Sequence, residues 1–273
     1  MAVRLGHWKR GKMAIMASYV DAAGSPSELA VASTAMISTP EKWLEFEREW
    51  NACLDSYKVN ELHMKHFAHS RGEYKGWERD QPKRKRFLNN LMWIIETYIE
   101  YTATDAVYMK AYNAHDARFQ LSEHVRPYTM GCFSVAGRVF KWGESRGVSR
   151  DDFVWLFERG DTDQSDLRKH WEKEYPDMMV DPIFLRKKDK YPDPKVCKRQ
   201  RPFEAADFVA YENLKVHKLL DERGDEPVYD DELRKPIQRM QKWPGASDWG
   251  YFGDENIARV CQNYSVPPRI AAV

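Results

Sequence analysis

The chain lacks the features that mark several common protein classes. It has only 4 cysteines, and Cys53, Cys132, Cys197 and Cys261 stand far apart with no paired spacing. A disulfide framework or a zinc knuckle is not expected, and reduced thiols in a cytoplasmic protein fit better. There is no phosphate-cradling glycine loop and no serine-hydrolase elbow, which weighs against common kinases, nucleotide hydrolases and esterases. Charge of one sign is missing too: 43 Lys and Arg face 42 Asp and Glu, a formal net charge of +1. Any contact with nucleic acid must therefore come from a local patch. Long apolar runs are also scarce. The first, Met13 to Val20, is too short to span a bilayer. Arg4, Lys9, Arg10 and Lys12 before it imitate a signal peptide, but Tyr19 and Asp21 stand where a small-residue cleavage site belongs. Residues 1–12 read as a basic extension leading into the first strand.

What is present is ample core material. Hydrophobic residues make up 42% and aromatics 13%, too much for a disordered chain. With no internal repeat and no low-complexity linker, 1–273 reads as a single domain with insertions. Ala14 to Val20 predicts a buried strand ending at Asp21. Gly24, Ser25 and Pro26 supply a turn, and Leu29 to Ile37 predicts the returning strand. Thr39 and Pro40 begin a helix carrying Trp43, Phe46, Trp50 and Leu54 to about Ser56. Tyr57 to His63 reads as a short strand, 82–100 as a helix, and Tyr101 to Tyr112 as a strand weakened by Thr104 and Asp105. A helix is expected over Pro127 to Glu144. Phe153 to Phe157 predicts a strand ending at Glu158, followed by a helix from Gln164 to Glu174 and a short strand from Pro182 to Leu185. Phe203 to Arg223, begun by Pro202, predicts the main late helix. Residues 242–273, with Trp243, Trp249, Tyr251 and Phe252 among Gly and Pro, read as an irregular aromatic wrap. This pattern predicts a mixed sheet covered by helices.

Two of the strands share a design. Val20-Asp21-Ala22-Ala23-Gly24 and Phe157-Glu158-Arg159-Gly160 each end an apolar run with an acid and turn soon after. Acids at strand ends can project into one cleft while the strands stay buried. Asp207 follows Phe203 by four residues and precedes Ala210 by three and Leu214 by seven, which turns it inward on a helix. Ala205, Ala206 and Ala210 let that helix approach the sheet. Inward carboxylates are costly unless paired or bound to a cation, and grouped carboxylates suit Mg²⁺ or Mn²⁺. The plainer alternative is that each acid caps a helix, pairs with an arginine or faces solvent.

The order strand–Asp21, strand–Glu158, helix–Asp207 resembles the ribonuclease H-like superfamily. The chain is similar in particular to the bacterial and phage family known as domain of unknown function 3800. Tyr19-Val20-Asp21-Ala22-Ala23-Gly24 resembles that family's Tyr-Ile-Asp-Glu-Ser-Gly strand, and Phe157-Glu158-Arg159-Gly160-Asp161 its Phe-Glu-x-Gly-Asp element. Glu204-Ala205-Ala206-Asp207-Phe208-Val209-Ala210-Tyr211-Glu212 resembles its Gln-x-Ala-Asp-Phe-x-Ala-Tyr-Glu helix. Leu62-His63-Met64-Lys65-His66-Phe67 resembles a Phe-His-Met-x-Asp-Phe element. Ala22 replaces the usual glutamate, and His66 stands where aspartate is common. The resemblance implies an α/β fold, a ribonuclease H-like mixed β-sheet flanked by α-helices with helical insertions. It also implies a divalent-metal-dependent nuclease or related phosphoryl-transfer enzyme acting on nucleic acid phosphodiesters, with Asp21, Glu158 and Asp207 as both catalytic and metal-binding residues and Mg²⁺ or Mn²⁺ as cofactor. The alternative is an inactive module of the same fold that recognises nucleic acid or a partner protein.

Secondary signals complete the reading. Glu61 and His63 are second-tier metal candidates, Glu61 serving as a fourth acid if Tyr57 to His63 lies beside the first strand. His63, His66 and His69 could share one helical face, or Met64 and Phe67 pack inward and leave most of the histidines solvated. A basic strip of Arg186, Lys187, Lys188, Lys190, Lys198, Arg199 and Arg201 is the candidate nucleic-acid surface. The run Lys83 to Arg86 reads as a solvated helix start, and Asp163 as a helix cap rather than part of a calcium loop.

Overall fold

A computed structural model describes residues 16–158, 164–175, 181–185, 200–223, 233–243 and 247–263. The basic N-terminal extension, Asp163 and nearly all of the proposed basic strip lie outside these residues.

The predicted hairpin forms from β1 (Met16–Gly24) and β2 (Ala30–Ser38), antiparallel from Ala17↔Ser38 to Gly24↔Val31. Gly24 ends β1 with φ 90, and a Cβ there would meet the Ala30 carbonyl oxygen at 2.2 Å. Only glycine fits this bend. β1 runs past its expected end, so Asp21 lies inside the hairpin ladder opposite Thr34.

Helix α1 (Pro40–Tyr57) begins as its residues dictate: the Thr39 side chain accepts from the Lys42 N–H, and Pro40 opens the helix. The segment after it corrects the expected strand at Tyr57 to His63. Tyr57 closes α1, residues 58–63 are a connector, and a short helix α2 (Met64–Ala68) follows. Next come α3 (Gln81–Tyr98) and β3 (Tyr101–Tyr108). The predicted strand to Tyr112 stops early, because α4 (Met109–Phe119) starts at Met109 and buries Met109 and Tyr112. Helix α5 (Pro127–Glu144), strand β4 (Phe153–Glu158) and helix α6 (Gln164–Glu174) keep the bounds read from sequence. β5 (Ile183–Leu185) and α7 (Arg201–Arg223) follow. The late part is more ordered than an irregular wrap: α8 (Lys235–Gln241), β6 (Ser247–Phe252) and α9 (Asp254–Asn263) occupy it.

The result is a mixed α/β fold, a six-stranded sheet in the order β5-β4-β1-β2-β3-β6 with helices on both faces. β2 is antiparallel to its neighbours β1 and β3; β4 is parallel to β1, β5 to β4 and β6 to β3. Strand alternation separates two cores. Val20, Phe153, Trp155 and Phe157 pack under α5 and α6 with Val139, Phe140 and Trp171. Tyr19, Val154 and Leu156 pack under α1, α3 and α7 with Phe46, Trp50, Phe203 and Phe208. At the hairpin, Ala23, Ala30, Ala32 and Ala106 meet Ala210 and Leu214. Alanine against alanine is what lets α7 lie close to the sheet, as its composition predicts. Among the described residues, no helix is long and apolar enough to cross a membrane.

Candidate functional site

The three acids face one layer. On β1, Tyr19, Asp21 and Ala23 share a face; Tyr19 packs edge-on against Phe203 at 5.3 Å, and Ala23 belongs to the cluster with Ala210 and Leu214. Asp21 is thus aimed at the stretch of α7 between Phe203 and Ala210, where Asp207 sits. Asp21 is 2% and Asp207 6% exposed, which makes ionised carboxylates here dependent on local partners. On β4, Glu158 shares the face of Val154 and Leu156, the same side of the sheet. The β1–β4 ladder ends at Val20↔Phe157, so Asp21 and Glu158 are the next residues on adjacent parallel strands. The strand registers put Asp21 and Glu158 on the α7 side of the sheet. They do not form a ready-made cage: among the described residues, no group of three His, Cys, Asp or Glu side chains is gathered as a metal centre.

Each acid has local partners. Asp21 Oδ1 accepts from the Ala22 N–H at 2.8 Å; at Glu158 it is the main-chain carbonyl, not the carboxylate, that accepts from Gln164 Nε2 at 2.7 Å. Asp207 Oδ2 accepts from the Met64 N–H at 3.1 Å, and His63 Nδ1 stands 3.1 Å from the same oxygen. His63, read as a second-tier candidate, is therefore in contact with Asp207. Its ring is edge-on to His66 at 4.6 Å. His66 and His69 are exposed while Met64 and Phe67 are buried, so the plainer reading of the histidine series holds for those two.

Glu61 is placed differently from its expectation. The segment from Asn60 to Met64 does not pair with β1; it lies against α7. The Asn60 carbonyl accepts from Arg201 at 3.0 Å, the Leu62 N–H donates to Glu204 at 3.0 Å, and the Met64 N–H donates to Asp207. Alternate residues of an extended stretch thus bond to side chains of α7 rather than to a neighbouring strand, which is why apolar alternation there imitates a strand. The Glu61 main-chain carbonyl accepts from the Tyr74 hydroxyl at 2.7 Å.

Arg201 is also corrected. It is 4% exposed, donates to Asn51 Oδ1 at 2.7 Å, and is paired with Glu204. Its charge serves a buried carboxylate and is closed to a surface ligand. Ala22 projects from the opposite face of β1, toward the α5 side. The missing acid at that position therefore takes no donor from the Asp21 face.

Sequence reasoning missed three further buried polar groups on α7. Glu204 accepts from Trp50 Nε1 at 2.9 Å as well as from Leu62 and Arg201, and burial raises its carboxyl above the ordinary range against the lowering effect of those partners. Glu212 is fully buried; Arg234 Nε lies 2.9 Å from Oε2, yet neither carboxylate oxygen accepts a directed hydrogen bond. Burial pushes Glu212 up to about 7, only partly offset by Arg234 and Lys215. His217, also fully buried, has Nδ1 3.1 Å from the Tyr108 hydroxyl, and burial pushes it down to about 4. The signal was available: Glu204, Asp207, Glu212, Asn213 and His217 interrupt an otherwise apolar stretch too dense to leave a free polar face.

Asp21 within β1, Glu158 at the end of β4 and Asp207 on α7 all belong to the same side of the sheet. No protein-family model matches the chain, and no curated protein matches it.

Proposed function

We propose that the chain is a divalent-metal-dependent nuclease, or a related phosphoryl-transfer enzyme, built on a ribonuclease H-like core. The observation that carries this reading is the common facing of Asp21 and Glu158, from adjacent parallel strands, toward the segment of α7 that bears Asp207. The mixed sheet with helices on both faces agrees with the fold that the resemblance implies.

Asp21, Asp207 and Glu158 would hold Mg²⁺ or Mn²⁺. Such an ion supplies a Lewis acid for a phosphodiester oxygen and lowers the pKa of water. The chain's own residues set the rest. The Met64 N–H and His63 fix one oxygen of Asp207. Burial of Asp21 under Tyr19 and α7 keeps bulk water from screening its charge.

Asp21→Asn and Asp207→Asn should each lower metal-dependent cleavage of a phosphodiester substrate by at least ~100-fold while the protein stays folded. Cleavage that survives both changes places the chemistry elsewhere. The engagement of Asp207 by His63 and Met64 favours a second reading, a non-catalytic module of the same fold. Calorimetric titration with Mn²⁺ separates the two: site-specific uptake lost in Asp21→Asn supports the enzyme, and no uptake supports the module.

A further inference from the structure

Five cations line a groove of about 320 Å³ between α3 and α8: Arg84, Lys85, Arg234, Lys235 and Arg239. Two are spoken for, since Glu212 takes Arg234 and Glu96 takes Arg239. Arg84, Lys85 and Lys235 have no carboxylate within ion-pair distance among the described residues. Arg84 is held in place: Nη1 donates to the Phe67 carbonyl at 3.0 Å and to Ser70 Oγ at 2.8 Å, and its guanidinium lies over the Phe67 ring at 4.3 Å. Burial and the neighbouring Arg234 oppose its positive charge. Like charges gathered around one concave surface repel each other, and an anion relieves that repulsion. Leu88, Met92 and Pro236 supply an apolar floor, and the amides of Gln81 and Asn89 stand at the wall.

The groove adjoins the acids through two physical links. Arg84 is bonded to α2, whose first flanking residue, His63, touches Asp207. Arg234 is paired with Glu212, which lies five residues beyond Asp207 on α7, a rise of ~7.5 Å.

We propose that this groove binds the phosphodiester backbone of a nucleic-acid strand and delivers it to the acidic face. Its choice of a strand over another anion rests on the nuclease reading, whereas its cationic character does not. Of the basic strip read from sequence, Arg201 is buried and takes no part in such a surface. The run Lys83 to Arg86 is not uniformly solvated, because Arg84 and Lys85 turn into the groove while Lys83 sits over the Trp77 ring at 3.8 Å.

The test uses the exposed pair, Lys85→Gln with Lys235→Gln, in the full chain, with fluorescence anisotropy of a labelled single-stranded 12-mer across a KCl series. The wild type should bind with steep salt dependence. The double variant, with an unchanged melting temperature, should bind about tenfold more weakly, its log K against log salt slope shallower by about 1.4. Equal affinity and slope in the variant overturn the proposal, as does failure of the wild type to bind the 12-mer at low salt. Adenosine monophosphate is the second arm; if it binds as tightly as the 12-mer, the groove takes a single phosphate and not a strand. Asp21→Asn protein separates this proposal from the reading it rests on. Binding of the 12-mer by a wild type that does not cleave it leaves the groove standing and removes the nuclease. Cleavage by the wild type with unaltered binding by the lysine variant does the reverse.

Discussion

Asp105 on the α5 side of the sheet and the α7 carboxylates Asp207 and Glu212 carry buried charge in opposite ways. Under α5, Asp105 is 1% exposed in the middle of β3, and its carboxylate is fully answered. Arg138 donates to it twice, from Nε at 2.7 Å and Nη2 at 3.1 Å, and Ser134 donates at 2.7 Å. The same guanidinium reaches Asp248 on β6 at 2.7 Å, stitching the edge strand to the sheet. Gly250 leaves the room: a Cβ there would meet Arg138 Nη2 at 2.1 Å. Under α7, Asp207 is met by an imidazole and a backbone N–H, and Glu212 by an arginine off the hydrogen-bonding direction. A carboxylate locked by a bidentate arginine is a structural fastening. A carboxylate bonded to a backbone N–H and an imidazole lacks that two-pronged lock.

The sharpest way to break this contrast is to remove one partner from each face. Arg138→Met leaves Asp105 buried without its counter-charge and should cost about 3–5 kcal/mol in a denaturant titration. Asp207→Asn keeps an acceptor for the Met64 N–H and should stay within about 1 kcal/mol of the wild type. Equal losses would mean that both faces are merely structural.

His217 gives the next largest effect. Its folded pKa of about 4 lies below the ordinary 6.5, so the unfolded chain takes up the proton first. The contribution of His217 is complete above about pH 6.5 and is lost as pH falls toward 4, by up to ~3 kcal/mol. His217→Gln should flatten that acid limb of a melting-temperature profile. An unchanged limb would put the acid sensitivity elsewhere.

Glu212 works in the other direction. Its folded pKa of about 7 lies above the ordinary 4.5, so the folded state binds the proton more tightly and stability declines as pH rises between those values. Glu212→Gln should therefore gain on the wild type with rising pH, by about 2 kcal/mol at pH 8. A variant that is less stable at pH 8 would show that Arg234 compensates the charge fully.

What was legible in the sequence follows the same division between local and distant causes. The hairpin, β4, α5 and α6 were readable because an unbroken apolar run, a proline start or a regular helical spacing fixed each locally. The facing of Asp207 was readable from its spacing to Phe203, Ala210 and Leu214. Helix α4 was lost because Tyr101 to Tyr112 contains no turn residue where strand becomes helix. Strand β6 was lost because its glycine reads as a loop, whereas that glycine exists to admit Arg138 from another helix. The connector at 58–63 imitated a strand because its bonding partners are side chains far along the chain. Arg201 looked like a surface cation for the same reason: its partner Glu204 is near in sequence, but Asn51 and Asn60 are not.

That connector is tied down by ionisable anchors rather than by a ladder of peptide groups, so its tightness follows the solution. Glu204 takes up a proton at higher pH than a solvated glutamate, and a protonated Glu204 grips the Leu62 amide less firmly. Mild acidification should then speed deuterium uptake at Leu62 while the amides of the β1–β2 ladder stay protected. A cation drawn onto Asp207 would join a carboxylate whose Oδ2 already accepts from the Met64 amide, so exchange at that amide would register its arrival.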